Sequence, residues 1–350
     1  MSAAHGLAAR ALRLLDPEDA HGLAISALKA GLGPLDRHTA DPILATSFAG
    51  LTLPNPIGLA AGFDKNAEVP GPMLAAGFGF VECGTATPRP QAGNARPRLF
   101  RLRQDRAVIN RMGFNNHGLD VFADNLRARR RFGVVGANIG VNKDAADRIQ
   151  DYVDGLSRLW GLCDYFTVNV SSPNTAGLRE LQAKGALTDL LGALAEARAT
   201  LSRQGAAPVF LKVAPDLDDT AVEDIAQSAA RFGLDGLIIS NTTLARPPDL
   251  RGRARGESGG LSGAPLMAPS TRLLGLFHQA AAGGLTLIGV GGISSGADAY
   301  AKIRAGASAV QLYSALVFHG LDLVATVRRE LAERLRSDGF RTVAEAVGAR

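Results

Sequence analysis

An α/β fold is predicted, a (β/α)8 barrel (TIM barrel) with an N-terminal two-helix extension, and three observations carry it. Eight short apolar runs recur through the chain, each closing on or beside a small or polar residue: Ile57–Ala60, Phe80–Cys83, Val134–Ile139, Tyr165–Val170, Val209–Val213, Gly236–Ser240, Leu287–Val290 and Ala309–Leu312. Helical patterns separate most of them, and strands buried on both faces that alternate with helices mean a parallel sheet. Glycine is in excess, 41 of 350 residues or about 12% against about 7% in average proteins, with no Gly-X-Y period. Eight strand-helix units in about 300 residues fit a closed barrel better than an open doubly wound sheet.

The first 40 residues form a separate unit. Leu7, Ala11, Leu14 and Leu15 fall on one helical stripe. Asp16-Pro17-Glu18-Asp19 then reads as a helix start, with Asp as N-cap, Pro at the first position and acids in the first turn. The second stripe, Ala20, Leu23, Ala24, Ala27 and Leu28, ends at Gly31 and Pro34. Two such helices, with Arg10, Arg13 and Lys29 nearby, suit either a hairpin packed on the main domain or a surface that lies on a membrane. Acids in the second helix and the lack of a cleavage pattern argue against a removable targeting peptide.

Residues 41–350 form the barrel unit. Thr46-Ser47-Phe48 and Leu51-Thr52-Leu53 flank Ala49-Gly50 as a hairpin. Helices are predicted over residues 187–201, 221–232, 269–282, 297–305 and 321–335. Two connections are long, about 50 residues after Cys83 and about 45 after Ser240, and loops of that length in a compact domain are usually functional.

Composition excludes several classes. No apolar stretch approaches the ~20 residues of a membrane-spanning helix. Two cysteines, Cys83 and Cys163, rule out a disulfide scaffold and suit a reducing compartment. The net charge is +5, but the basic runs Arg127–Arg131 and Arg251–Arg255 lack interleaved aromatics, and read as solvated faces or loops without a nucleic-acid partner. Only six of the 38 basic residues are lysines. A compact, titratable ammonium is not interchangeable with a guanidinium, so each lysine merits inspection.

In a barrel of this kind the site forms at the C-terminal strand ends. Ala61-Gly62-Phe63-Asp64-Lys65-Asn66 follows the first strand and Gly84-Thr85 the second. Asn138 lies in the third, Asn169 to Asn174 ends the fourth, and Lys212 lies in the fifth. Ser240-Asn241-Thr242 ends the sixth, Gly291-Gly292 the seventh and Tyr313-Ser314 the eighth. These strand ends carry no His, Cys pair or carboxylate cluster, so they suit a planar, anionic, hydrogen-bonding ligand and no catalytic metal. The last two loops occupy the usual barrel phosphate position. The Gly289–Ser294 run lacks the third glycine of a dinucleotide fingerprint, which argues against NAD. Lys212, inside an apolar strand, should meet an anion within the barrel mouth.

Taken together, these strings resemble the dihydroorotate dehydrogenases of the quinone-dependent, membrane-associated class (class 2), over essentially the whole chain. The matching text is Ala60–Asn66, Asn110-Arg111-Met112-Gly113-Phe114-Asn115-Asn116, Asn169–Asn174, Asn241-Thr242-Thr243, Gly259–Gly263 and Gly291-Gly292-Ile293, with Leu15-Asp16-Pro17-Glu18 and His21 in the extension. Ser240, where Thr is common, and Phe63, where Leu is also seen, are small departures.

The resemblance implies FMN, with its phosphate at Gly292, Tyr313 and Ser314 and Gly263 nearby. Ala61, Gly62, Phe63, Asp64, Lys65, Thr85 and Ser240 would border the flavin. Lys212 would stabilise negative charge on the reduced ring, and Asn138 and Asn169 would add hydrogen bonds. Dihydroorotate, or the product orotate, would be held by Lys65, Asn110, Arg111, Met112, Gly113, Phe114, Asn169, Asn174, Asn241 and Thr242. Ser172 would be the catalytic base, passing its proton onward through Thr or water, and the loop from Pro173 to Leu181 would act as a lid. The soluble relatives place Cys where this chain has Ser172. The extension would form an apolar mouth resting on the cytoplasmic side of the cell (inner) membrane, peripherally, and admit a membrane quinone. The alternatives are a soluble-class FMN barrel using fumarate or NAD, and a basic binding protein on a degenerate barrel.

Overall fold

The computed structural model describes residues 12–36 and 38–349. Leu7 and Ala11 of the first predicted stripe lie outside the described residues. Helix α1 (Pro17–Lys29) starts as the sequence predicts, with Asp16 Oδ1 accepting from Glu18 N and Asp19 N. Such a cap contributes about 1 kcal/mol. A hairpin follows, β1 (Thr46–Phe48) and β2 (Leu51–Leu53), paired antiparallel.

The barrel begins at β3 (Ile57–Leu59), then α2 (Pro70–Ala75) and β4 (Phe80–Ala86). The first long connection contains β5 (Leu99–Leu102), β6 (Ala107–Asn110) and α3 (Gly118–Ala128). Next come β7 (Val134–Ile139), α4 (Arg148–Leu159), β8 (Tyr165–Asn169), α5 (Lys184–Leu201), β9 (Val209–Val213), α6 (Asp219–Arg231) and β10 (Gly236–Ile239). The second long connection contains β11 (Gly260–Gly263) and is followed by α7 (Met267–Ala281). The chain closes with β12 (Thr286–Val290), α8 (Gly296–Arg304), β13 (Ala309–Leu312), α9 (Ser314–His319), α10 (Leu323–Ser337) and α11 (Val343–Ala346).

All eight predicted strands pair in parallel as one closed barrel, β3-β4-β7-β8-β9-β10-β12-β13 and back to β3. The sequence reading does not contain β5, β6 and β11, which form an antiparallel sheet joining the two long connections. These strands are four residues each, and Arg101, Ser262 and two glycines break the alternation that marks a half-buried strand. The pairing Asn110 to Gly260 brings both connections over the same mouth.

The opposite end of the barrel is filled by rings. Phe48 of the hairpin packs edge-to-face on Phe80, Tyr165 and Phe210, with centroids 5.1–5.6 Å apart. Gly136 makes room for this layer, because a Cβ there would lie 2.1 Å from Tyr165 Cζ.

The arginine runs are not uniformly solvated. Arg129 is largely buried and pairs with Asp164 at 3.2 Å, whose Oδ2 also accepts from Val135 N of β7 at 2.7 Å. No helix among the described residues is long and apolar enough to cross a membrane.

Candidate active site

A cavity of about 440 Å³ opens at the C-terminal strand ends and continues beneath α1, within the range usual for small-molecule sites. Its barrel end is lined by strand-end and loop residues: Ala61, Gly62, Phe63, Lys65, Thr85, Asn169, Ser172, Asn174, Lys212, Ser240, Asn241, Thr242, Gly263, Gly292, Tyr313 and Ser314, with Asn110, Met112, Gly113 and Phe114 from the long connection. Its other end is lined by Leu12, Pro17, Ala20, Ala24 and Leu28. Three residues expected at the site do not reach this wall. Asp64 is fully buried behind it, where its carboxylate accepts from Glu68 N and Val69 N at 2.8 Å and so shapes the loop that carries Lys65. Asn138 lies beneath the wall. Arg111 turns outward to Glu257 at 2.7 Å and over the Phe100 ring.

Under the wall sits a carboxylate absent from the sequence reading. Glu82, fully buried on β4, accepts from Asn138 Nδ2 (2.7 Å), Gln311 Nε2 (2.8 Å), Thr167 Oγ1 (3.1 Å) and Tyr165 OH (3.2 Å). Lys212 Nζ lies 3.8 Å from it. The anion expected for Lys212 is therefore supplied within the barrel, since a buried charge is tolerated only when paired and hydrogen-bonded.

The network climbs from there. Thr85 Oγ1 donates to Asn138 Oδ1 at 2.6 Å, Asn169 Nδ2 donates to Asn138 Oδ1 and Thr85 Oγ1 at 3.1 Å, and Asn241 Nδ2 donates to Asn169 Oδ1 at 3.2 Å. These amides are held in fixed orientations before any ligand arrives. Gln311 Oε1 is buried without a partner, on a residue that lines the cavity. Gln311 and Glu82 carried the same signal as Lys212, a polar residue within an apolar strand.

Lys65 has no hydrogen bond or ion pair among the described residues, and burial draws its ammonium down to about 8. Near it, His21 of α1 donates Nε2–H to Phe63 O at 2.7 Å. Burial, and then the Lys65 charge, lower the His21 pKa to about 4, so it is neutral at pH 7. The strand ends alone carry no histidine; the extension brings this one to the cavity wall.

Ser172 is 6% exposed, and its Oγ accepts from Asn174 N at 3.3 Å. The following loop is tethered by Arg179, which donates from Nε to Ser171 O (3.0 Å), from Nη2 to Thr242 O (2.8 Å) and from Nη1 to Asp216 (2.8 Å). One guanidinium thus joins the ends of β8 and β10. Replacing it, Arg179→Ala, should speed amide hydrogen exchange across residues 173–182 by at least tenfold and leave the barrel strands unchanged. Unaltered exchange in that loop would refute the tether.

At the far side, Gly292 adopts φ +81°, and a Cβ on it would lie 2.5 Å from Met267 N. The backbone there is stripped of side chains and backed by the first turn of α7. Ser314 Oγ, hydrogen-bonded to Ser262 Oγ at 2.8 Å, completes the cradle. Bare backbone, small hydroxyls, the orphaned Gln311 acceptor and two lysines fit a phosphorylated planar heterocycle such as a flavin nucleotide.

Comparison with known proteins agrees with this geometry. The family model described as Dihydroorotate dehydrogenase matches residues 43–335. A "Dihydroorotate dehydrogenase (quinone)" of Azorhizobium caulinodans is 55% identical over 343 residues, 97% of this chain and 96% of that one. Another, from Parvibaculum lavamentivorans, is 56% identical over 345 residues, 98% and 97% of the two chains. The crystal structure of the Eimeria tenella enzyme in complex with ferulenol superimposes with a TM-score of 0.92 at 42% identity, covering 95% of each chain. This chain belongs to the dihydroorotate dehydrogenase family, in its quinone-dependent class.

Proposed function

We propose that this enzyme oxidises dihydroorotate to orotate with FMN as its flavin, in pyrimidine biosynthesis, and delivers the electrons to a membrane quinone. The observation that carries the reading is one cavity with two unlike ends. The barrel end is polar, holds Ser172 and two lysines, and suits a small anionic heterocycle; the end under α1 is mostly apolar, with Arg13, His21 and Arg101 as its polar members, and suits an isoprenoid quinone with a polar head. The flavin, when bound, takes two electrons from the substrate and gives them up to the quinone.

Each side chain has a definable task. The unpaired Lys65 ammonium meets the substrate carboxylate. Asn110, Asn174, Asn241 and Thr242 offer donors and acceptors to the edges of the pyrimidine ring. Ser172 accepts the proton that leaves C5. Lys212, backed by Glu82, would supply positive charge to the reduced flavin, and Gln311, whose Oε1 has no protein partner, would add an acceptor for it. Neutral His21 fixes Phe63 between the two ends.

Among the described residues of the extension, Leu14, Leu15, Leu23, Leu32 and Leu35 are the strongly exposed apolar ones, while Arg13 donates to Phe318 O and Lys29 pairs with Glu68 at 2.6 Å. That surface supports peripheral seating on the inner face of the cell membrane. An acceptor panel tests the assignment: a ubiquinone analogue should sustain turnover, and fumarate or NAD should not. Turnover with fumarate or NAD alone would overturn it.

Lys65 also gives a pH dependence. Burial lowers its pKa to about 8, so the binding form is lost as pH rises through that value, and a bound carboxylate raises it again. Orotate affinity, measured by flavin absorbance change, should be constant from pH 6 to 7 and fall about tenfold per pH unit above about 8. A flat profile to pH 9.5 would exclude the ammonium as the carboxylate partner.

A further inference from the structure

A second buried lysine lies behind the phosphate cradle. Lys302 on α8 is fully buried, and its stem passes β12 so closely that a Cβ on Gly289 would lie 2.9 Å from its Cδ. The ammonium donates to Ser270 Oγ at 2.8 Å and Thr271 Oγ1 at 3.0 Å, two uncharged groups near the start of α7. Among the described residues no carboxylate is within ion-pairing distance of it. Asp298, one turn back on α8, acts on it only through space and accepts from Ser294 N and Oγ. The first turn of α7 contains no acid, and Glu330 on the adjoining α10 accepts from Gly296 N. Burial accordingly lowers the Lys302 pKa to about 7.

One hydroxyl separates this ammonium from the cavity wall. Ser270 Oγ donates most closely to Leu266 O at 2.6 Å and also lies 3.2 Å from Gly291 O, and a Cβ on Gly291 would approach it to 2.9 Å. The N-terminus of α7 presses on Gly292 at the same place. A helix N-terminus and a cation so disposed repel each other, and both are satisfied by an anion on the open face of the two glycines.

We infer that Lys302 is a buried positioning cation for the phosphate of the bound flavin nucleotide, acting through Ser270 and the Gly291–Gly292 backbone without touching the ligand. The inference rests on the reading that FMN binds with its phosphate on those glycines. A unit charge held near the phosphate in partly screened surroundings changes its affinity about thirtyfold. Phosphate binding should draw a proton onto Lys302, since the anion favours its charged form.

The test is titration of the flavin-stripped full chain with FMN and with riboflavin, which lacks the phosphate. Wild type should prefer FMN strongly. Lys302→Met should cut that preference about thirtyfold while leaving riboflavin affinity within twofold. In wild type the preference should fall as pH rises from 7 to 9, and in the variant it should not. Absence of any FMN preference in wild type would sink the phosphate reading itself. A preference retained by Lys302→Met, or equal losses for both flavins, would sink the role of Lys302 alone. Should the variant fail to fold, a flat wild-type profile between pH 7 and 9 would still overturn the inference.

Discussion

Ser172→Ala should lower kcat for dihydroorotate oxidation about 10²- to 10⁴-fold, the range a positioned general base contributes. FMN content and orotate affinity should stay within a few-fold of wild type. The basis is local. Ser172 Oγ accepts from the Asn174 backbone N–H, lines the barrel end of the cavity and is nearly excluded from water. Among the described residues no histidine or carboxylate is hydrogen-bonded to it, so its basicity must come from the bound state of the site. Ser172→Cys should therefore recover part of the rate with a pH optimum shifted down, because a thiol ionises more readily than a hydroxyl. Single-turnover flavin bleaching separates this step from quinone reduction. An alanine variant that bleaches at the wild-type rate would remove Ser172 from the chemistry.

Deleting residues 1–40 should abolish turnover with a ubiquinone analogue while leaving dihydroorotate-driven reduction of a small dye. The apolar end of the cavity is built largely from α1, through Ala20, Ala24 and Leu28, so the deletion removes the quinone wall but none of the lysines or amides that line the barrel end. It also strips buried Arg98 of Glu18, whose oxygens it holds at 2.6 and 3.0 Å. Arg98 would then face water and keep only its bonds to Ala92 O and Asn94 O, and the barrel would expose the apolar surface that α1 covers, so the truncated protein should melt lower than wild type. Ala24→Trp provides a gentler test, since it narrows the same passage with Glu18 in place. Quinone turnover within twofold of wild type in both variants would show that the acceptor enters elsewhere.

The barrel was legible because its strands are continuous apolar runs with no competing period, and all eight appear where the sequence places them. The cavity wall was legible where motifs fall at strand ends. What escaped is informative in physical terms. Glu82 and Gln311 are single polar residues inside apolar strands, whose partners lie on other strands up to 229 positions away; no local pattern encodes such pairing. The β5-β6-β11 sheet escaped because its strands derive their stability from each other across about 150 residues. Asp64 lies behind the wall and not on it, because a motif reports that a residue belongs to a loop, not which way it faces. Its carboxylate is spent on two backbone N–H groups, and burial raises its pKa.

The Arg98 contact has a bearing on protein engineering. Arg98 grips Glu18 of α1 with Nε and Nη2, and with Nη1 it donates to Ala92 O (2.6 Å) and Asn94 O (2.7 Å). Asn94 Nδ2 in turn donates to Asn174 O at 3.2 Å. A short relay of bonds therefore runs from the extension to the backbone of a proposed substrate residue. A chimaera that imports another relative's extension would have to import the partner loop as well, or accept a substrate pocket out of register with its new neighbour.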